Sequence, residues 1–122
     1  MTDLASTGAY AVIPTKVDGI YIRPLTRTLL NKHDELFEAA IDANDNRNAD
    51  ESADQSALTE EQYKYEFFVI GEIGCDVDGN PFANAADYET FKAWKHECVS
   101  HCKATMDAIA GAIGEALGWG KG

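Results

Sequence analysis

From Phe91 to Leu117 the apolar side chains return every third or fourth residue: Phe91, Trp94, Cys98, Cys102, Met106, Ile109, Ile113 and Leu117. That spacing is the helical repeat, so it predicts one helix over 87–118, roughly eight turns long, with a continuous apolar edge. A stripe of that length has to be covered by other elements. It commits the chain to a mainly α architecture. The end of the stripe, AIAGAIGEALG, is rich in Ala and Gly. Glycines such as Gly111 and Gly114 cost a helix about 1 kcal/mol each. Their presence points to close packing, within the subunit or against a partner.

Two more segments carry the same repeat. Leu29, Leu30, His33, Leu36, Phe37, Ala40 and Ile41 share one face of a helix expected over 26–42, with Thr26 as its N-cap. Thr59-Glu60-Glu61-Gln62 is a capping box and opens a helix expected over 59–74. Tyr63, Phe67, Ile70 and Ile73 form its stripe, and Tyr65, Phe68 and Val69 widen it, which is the pattern of a central helix.

Before the helices, AYAVIPTKVDGIYIRPL alternates apolar and polar residues on either side of Asp18-Gly19, a hairpin signal. Pro14 and Pro24 cannot donate to a ladder and belong at an edge or a strand end. The 43–58 stretch, ANDNRNADESADQSAL, lacks apolar periodicity and reads as an acidic mobile loop. The expected fold class is therefore mainly α (α+β). It comprises an N-terminal β-hairpin (1–25) and a three-helix bundle-like domain with a long C-terminal helix, joined by a 75–86 turn and ending in a 119–122 tail.

The chain has 122 residues, room for one domain with a single core. Its 21 acidic against 10 basic residues give a formal charge of −11, which repels phosphate backbones and anionic lipid. Nucleic acid and membranes are therefore not expected as partners. No stretch approaches the roughly 18 apolar residues of a membrane span, and MTDLASTGAY lacks the regions of a signal peptide. Three cysteines, an odd number, favour reduced thiols in a cytoplasm.

Two clusters resemble metal sites. Asp76, Asp78, Asn80, Asn84 and Asp87 occupy the ligand positions of a calcium loop. However, Pro81 stands where the loop needs glycine, and Asp87 where it needs a bidentate glutamate. Asp78-Gly79-Asn80-Pro81 is turn chemistry instead. Cys98, His101 and Cys102, with His96 nearby, lie along one helix, where a tetrahedral zinc would need a second element such as Cys75. Packing of small apolar side chains accounts for the two stripe cysteines more simply. No nucleophile motif, Walker loop or dinucleotide fingerprint occurs. The expectation is a non-enzyme with no cofactor and no metal.

The order of the pieces carries more information than any one motif. Arg23-Pro24-Leu25-Thr26 closes the β segment ahead of the first helix, and Asp76, Asp78, Gly79, Asn80, Pro81 and Phe82 form the turn before the last. Over roughly residues 10 to 118 this arrangement resembles the tail assembly chaperones of long-tailed bacteriophages and prophages. The Asn/Asp-rich stretch and the aromatic YKYEFF run depart from that pattern. The resemblance implies a non-enzymatic chaperone of the host cytoplasm. Its partners would be the tail tube protein and the tape-measure protein, held before assembly. Self-association and a longer frameshifted form are further possibilities within that family.

Surplus apolar surface on the second and last helices marks Tyr63, Tyr65, Phe67, Phe68, Gly111 and Gly114 as partner-binding residues. An acidic DNA mimic that blocks a nucleic-acid-binding enzyme or repressor is the alternative. It requires carboxylates held in a fixed array.

Overall fold

The computed structural model describes residues 12–52 and 58–118. The fold is mainly helical with a small antiparallel sheet. Strands β1 (Ile13–Pro14) and β2 (Tyr21–Ile22) form the expected hairpin, with Ile13 opposite Ile22 and Gly19 at φ +86° in its turn. Only glycine reaches that backbone region without strain. A third strand, β3 (Gly74–Cys75), pairs with β2, placing Tyr21 opposite Cys75. The expected 75–86 turn thus begins inside a sheet. Apolar residues bury β3 on both faces, so the strand lacks the period-two pattern that announces an edge strand.

Helix α1 (Arg27–Ala49) starts at the predicted cap, with Thr26 Oγ1 accepting from the Leu29 amide at 3.1 Å. It runs seven residues past the expected end at 42, and this corrects the reading of 43–49 as loop. Asn and Asp cost a helix only about half a kcal/mol each. Ala43, Asn44 and Arg47 continue the covered side begun by Ala40, and the Arg47 guanidinium donates to Asn44 and Asn48. Tertiary cover outweighs weak local preference there. Residues 53–57 of the expected loop, the first eleven residues and the 119–122 tail lie outside the described residues.

Helix α2 (Glu60–Phe68) opens with the complete capping box. The Gln62 amide donates to Thr59 Oγ1 at 3.2 Å, and the Thr59 amide donates to Gln62 Oε1 at 2.9 Å. It widens into a π-helical turn over Val69–Ile73 and stops at Gly74. A Cβ at Gly74 would come 2.5 Å from Ile109 Cδ1 and 2.7 Å from the Ile70 carbonyl, so the backbone itself is part of the core.

The loop after β3 uses Asp76 as a turn residue: its Oδ1 accepts from the amides of Asp78 and Asn80, both at 2.9 Å. Gly79 stands at φ +83°. Helix α3 (Tyr88–Glu97) is capped by Asp87, whose carboxylate accepts from the Thr90 amide at 2.8 Å.

The long terminal helix is divided. α3 ends at Glu97 and α4 (Val99–Leu117) begins beyond Cys98, which sits at φ −128°, ψ 55°. This corrects the single helix expected over 87–118. No Pro or Gly marks the break. Packing on both sides of it does: Phe91 meets Phe67, while Cys102, Ile109 and Ile113 enter the core with Ile22, Ile70 and Ile73. A straight helix would not bring both halves of the stripe to one core.

Candidate functional site

Helix α1 packs chiefly on α2, and α4 packs on α3, β2 and the π-helical turn. Between α1 and α4 the face of α2 is left open. Tyr65 lies on this face and holds α1 in place. Its hydroxyl is 2.9 Å from His33 Nε2, and its ring is 5.4 Å from that of Phe37. His33 Nδ1 is in turn 3.1 Å from Asp34 Oδ1. Burial, with the charges of Glu66 and Asp34, holds the Tyr65 phenol above its usual range, so it stays a neutral hydroxyl.

Two clefts flank Tyr65. One, of about 260 Å³, lies between Phe37, Tyr65 and Val69 on one side and Ala110 and Ile113 of α4 on the other. The second, of about 250 Å³, continues along Phe37 and Ile41 to Glu66 and Met106. Phe37 and Ile41 are 44% and 43% exposed, which is unusual for large apolar side chains one turn apart on a helix. A third and wider cleft, of about 680 Å³, shares Glu66 and Met106 with the second and extends past Tyr63, Lys95 and Val99. The first two make a groove along α2 with α1 and α4 as walls, and the third opens from it between α2, α3 and α4.

Acidic side chains rim the α1 wall: Asp34, Glu38, Asp42 and Asp45 are all exposed. At three- and four-residue steps they share one side of the helix. At the floor of the wide cleft, Lys95 Nζ is 2.5 Å from Glu66 Oε1, with the two side chains only 12% and 19% exposed. Burial opposes the charge on Lys95, but the Glu66 carboxylate more than compensates and raises its proton affinity.

The residues expected to bind a partner divide between this groove and the core. Tyr63 lines the wide cleft and Tyr65 the groove. Phe67 and Phe68 line neither. Phe67 stacks 5.4 Å from Tyr88 and 5.5 Å from Phe91, and Phe68 is buried, so both pack inside the chain. Adjacent helix positions differ by about 100°, so four aromatics within six residues cannot all face outward.

Gly111 is exposed with open space around it, and Gly114, half-buried, follows Ala110 one turn later on the groove side of α4. Sequence reasoning missed Phe37, Ile41, Met106 and Ala110 as groove residues. The signal available was the width of the α1 stripe, broader than one short helix can cover.

Cys75 and Cys102 are buried free thiols and Cys98 is half-buried. Among the described residues no group of three or more His, Cys, Asp or Glu side chains is placed to hold a metal ion, and no helix is long and apolar enough to cross a membrane. Comparison with known proteins finds no matching family model, no similar curated protein and no similar solved structure.

Proposed function

We propose that the chain is a protein-binding chaperone whose groove between α1 and α4 receives an apolar segment of a partner. The specific reading is a phage tail assembly chaperone holding the tail tube protein and the tape-measure protein. One observation carries the binding reading: Phe37 and Ile41 are left nearly half exposed beside an open apolar floor formed by Tyr65, Met106 and Ala110. Solvating such a strip is unfavourable by roughly 25 cal/mol per Å², which a docked apolar helix or strand would recover. The acidic rim selects for a basic segment and steers it in. The choice of tail proteins rests on the resemblance in the order of sequence elements.

Co-expression tests it. With the chain present, a tail tube subunit of a long-tailed phage stays soluble and monomeric, and with Phe37→Asp it aggregates as it does alone. A tube subunit equally insoluble with and without the chain would refute the assignment.

The helical course of 43–49 favours a second reading. Asp42 and Asp45 stand on a rigid helix with Asp34 and Glu38, and a fixed carboxylate array is what an acidic DNA mimic needs. Competition with duplex DNA for a repressor or nuclease, unaffected by Phe37→Asp, would support the mimic.

A further inference from the structure

The break at Cys98 creates a cluster that a straight helix would not. Lys95 and Cys102 are seven residues apart, a rise of about 10 Å in a continuous helix. Across the break Lys95 Nζ lies 3.7 Å from Cys102 Sγ. Glu66, from α2, touches both: its Oε1 is 2.5 Å from the ammonium and 3.8 Å from the sulfur. Three elements thus converge a thiol, an amine and a proton acceptor. Glu66 and Lys95 line the wide cleft, and the Cys102 sulfur is buried behind them.

We infer that Cys102 and Lys95 form an oxidation-dependent covalent pair, a sulfenamide link closed across the α3–α4 break when the thiol meets hydrogen peroxide. In the first step the sulfur attacks one peroxide oxygen, the O–O bond breaks, and Cys102 becomes a sulfenic acid with release of water. Sulfur loses two electrons and the peroxide is reduced. In the second step the Lys95 ammonium gives up a proton to solvent, and the freed amine attacks the sulfur. The S–N bond forms, the S–O bond breaks, and the hydroxide leaves as water with one of the nitrogen's protons. One peroxide is consumed, two waters form, and the protein loses two hydrogen atoms and one positive charge.

The placement is selective. Cys75 faces Arg23, whose guanidinium does not attack sulfur. Burial, partly offset by the Lys95 ammonium, keeps the Cys102 thiol protonated at rest, so its oxidation is slow and needs a high peroxide load. Once closed, the link pins α3 to α4 and leaves the Glu66 carboxylate without its counter-ion at the cleft floor. It is reversed by added thiol.

The test uses the wild-type chain. Native protein is treated with graded hydrogen peroxide, cleaved after glutamate without reductant, and examined by mass spectrometry. Cleavage after Glu97 puts Lys95 and Cys102 on different peptides, so a Cys98–Cys102 disulfide cannot imitate the link. The expected product is the two peptides joined at their summed mass less two hydrogens, lost on adding dithiothreitol and absent when peroxide is added in urea. Lys95→Arg, which retains a cation for Glu66, gives Cys102 sulfenic and sulfinic acids and no joined pair. The proposal is overturned if wild-type Cys102 is recovered unmodified or only as sulfinic or sulfonic acid, or if the joined pair forms equally in urea.

Discussion

The Tyr65 hydroxyl and His33 Nε2, 32 residues apart in sequence, lie 2.9 Å apart and bind α2 to α1 at the floor of the groove. Tyr65→Phe keeps the ring against Phe37 and His33 and removes only this bond. A part-buried hydrogen bond contributes about 1 kcal/mol, so urea denaturation should show a loss of that order. Tyr65→Ala should cost about 3 kcal/mol or more, because the packing goes as well. Equal losses in the two variants would mean the hydroxyl, not the ring, fixes α1.

Two glycines should respond in opposite directions to alanine. A Cβ at Gly74 meets Ile109 Cδ1 at 2.5 Å, the Ile70 carbonyl at 2.7 Å and Phe82 at 3.1 Å. The carbonyl cannot yield as a side-chain tip can, so Gly74→Ala is expected to destabilise by about 2 kcal/mol. At Gly111, inside α4, a Cβ meets nothing within 4 Å. Gly111→Ala should therefore stabilise by up to about 1 kcal/mol through helix propensity. Thermal melts of the two variants check both signs.

These contrasts also show how far the sequence could be read. The caps at Thr26 and Thr59 were legible because each is a local bond between residues three apart. The stripe from Phe91 to Leu117 was legible for the same reason, since burial follows its period. The break within it was not, because nothing at Cys98 is a helix breaker and the bend answers to Phe67 and the Ile22–Ile70–Ile73 core. Strand β3 was hidden likewise. Its two residues become a strand only by pairing with Tyr21 and Ile22. In the groove and the cleft that opens from it, Tyr63 and Tyr65 could be named in advance, but Phe37 and Ile41 could not. Their exposure depends on where α4 lies relative to α1.

Acid should loosen α3 through its cap. Hydrogen bonds from the Thr90 amide and hydroxyl hold the Asp87 carboxyl below its ordinary value of 3.8. A carboxyl lowered on folding contributes stability that is fully present above the unfolded value and lost as pH falls through the folded one. Asp87→Asn should therefore flatten the acid limb of the stability curve below about pH 4 while changing little at its neutral end, where asparagine also caps. An acid limb identical in the variant would assign that pH dependence to other groups.

Removing one partner of the Lys95–Glu66 pair should cost more than removing both. Glu66→Ala leaves a nearly buried ammonium without its carboxylate and is expected to destabilise by about 3 kcal/mol, whereas Glu66→Leu with Lys95→Met should recover most of that loss. A double-mutant cycle measured by chemical denaturation checks it. Strict additivity would show that the pair does not couple α2 to α3.

The most direct test of the docking account is titration calorimetry of the tail tube subunit into the wild-type chain and into Phe37→Asp. Phe37 is 44% exposed, so the variant should stay folded with the wild-type circular dichroism spectrum, at a melting temperature lowered by the lost ring contacts to Tyr65 and His33. An aromatic anchor at the centre of an interface is worth about 2 kcal/mol or more, so the account predicts at least about a thirty-fold rise in Kd. The acidic rim further predicts weaker binding as salt is raised. No heat of binding to the wild-type chain, or the same Kd for the folded variant, would contradict it.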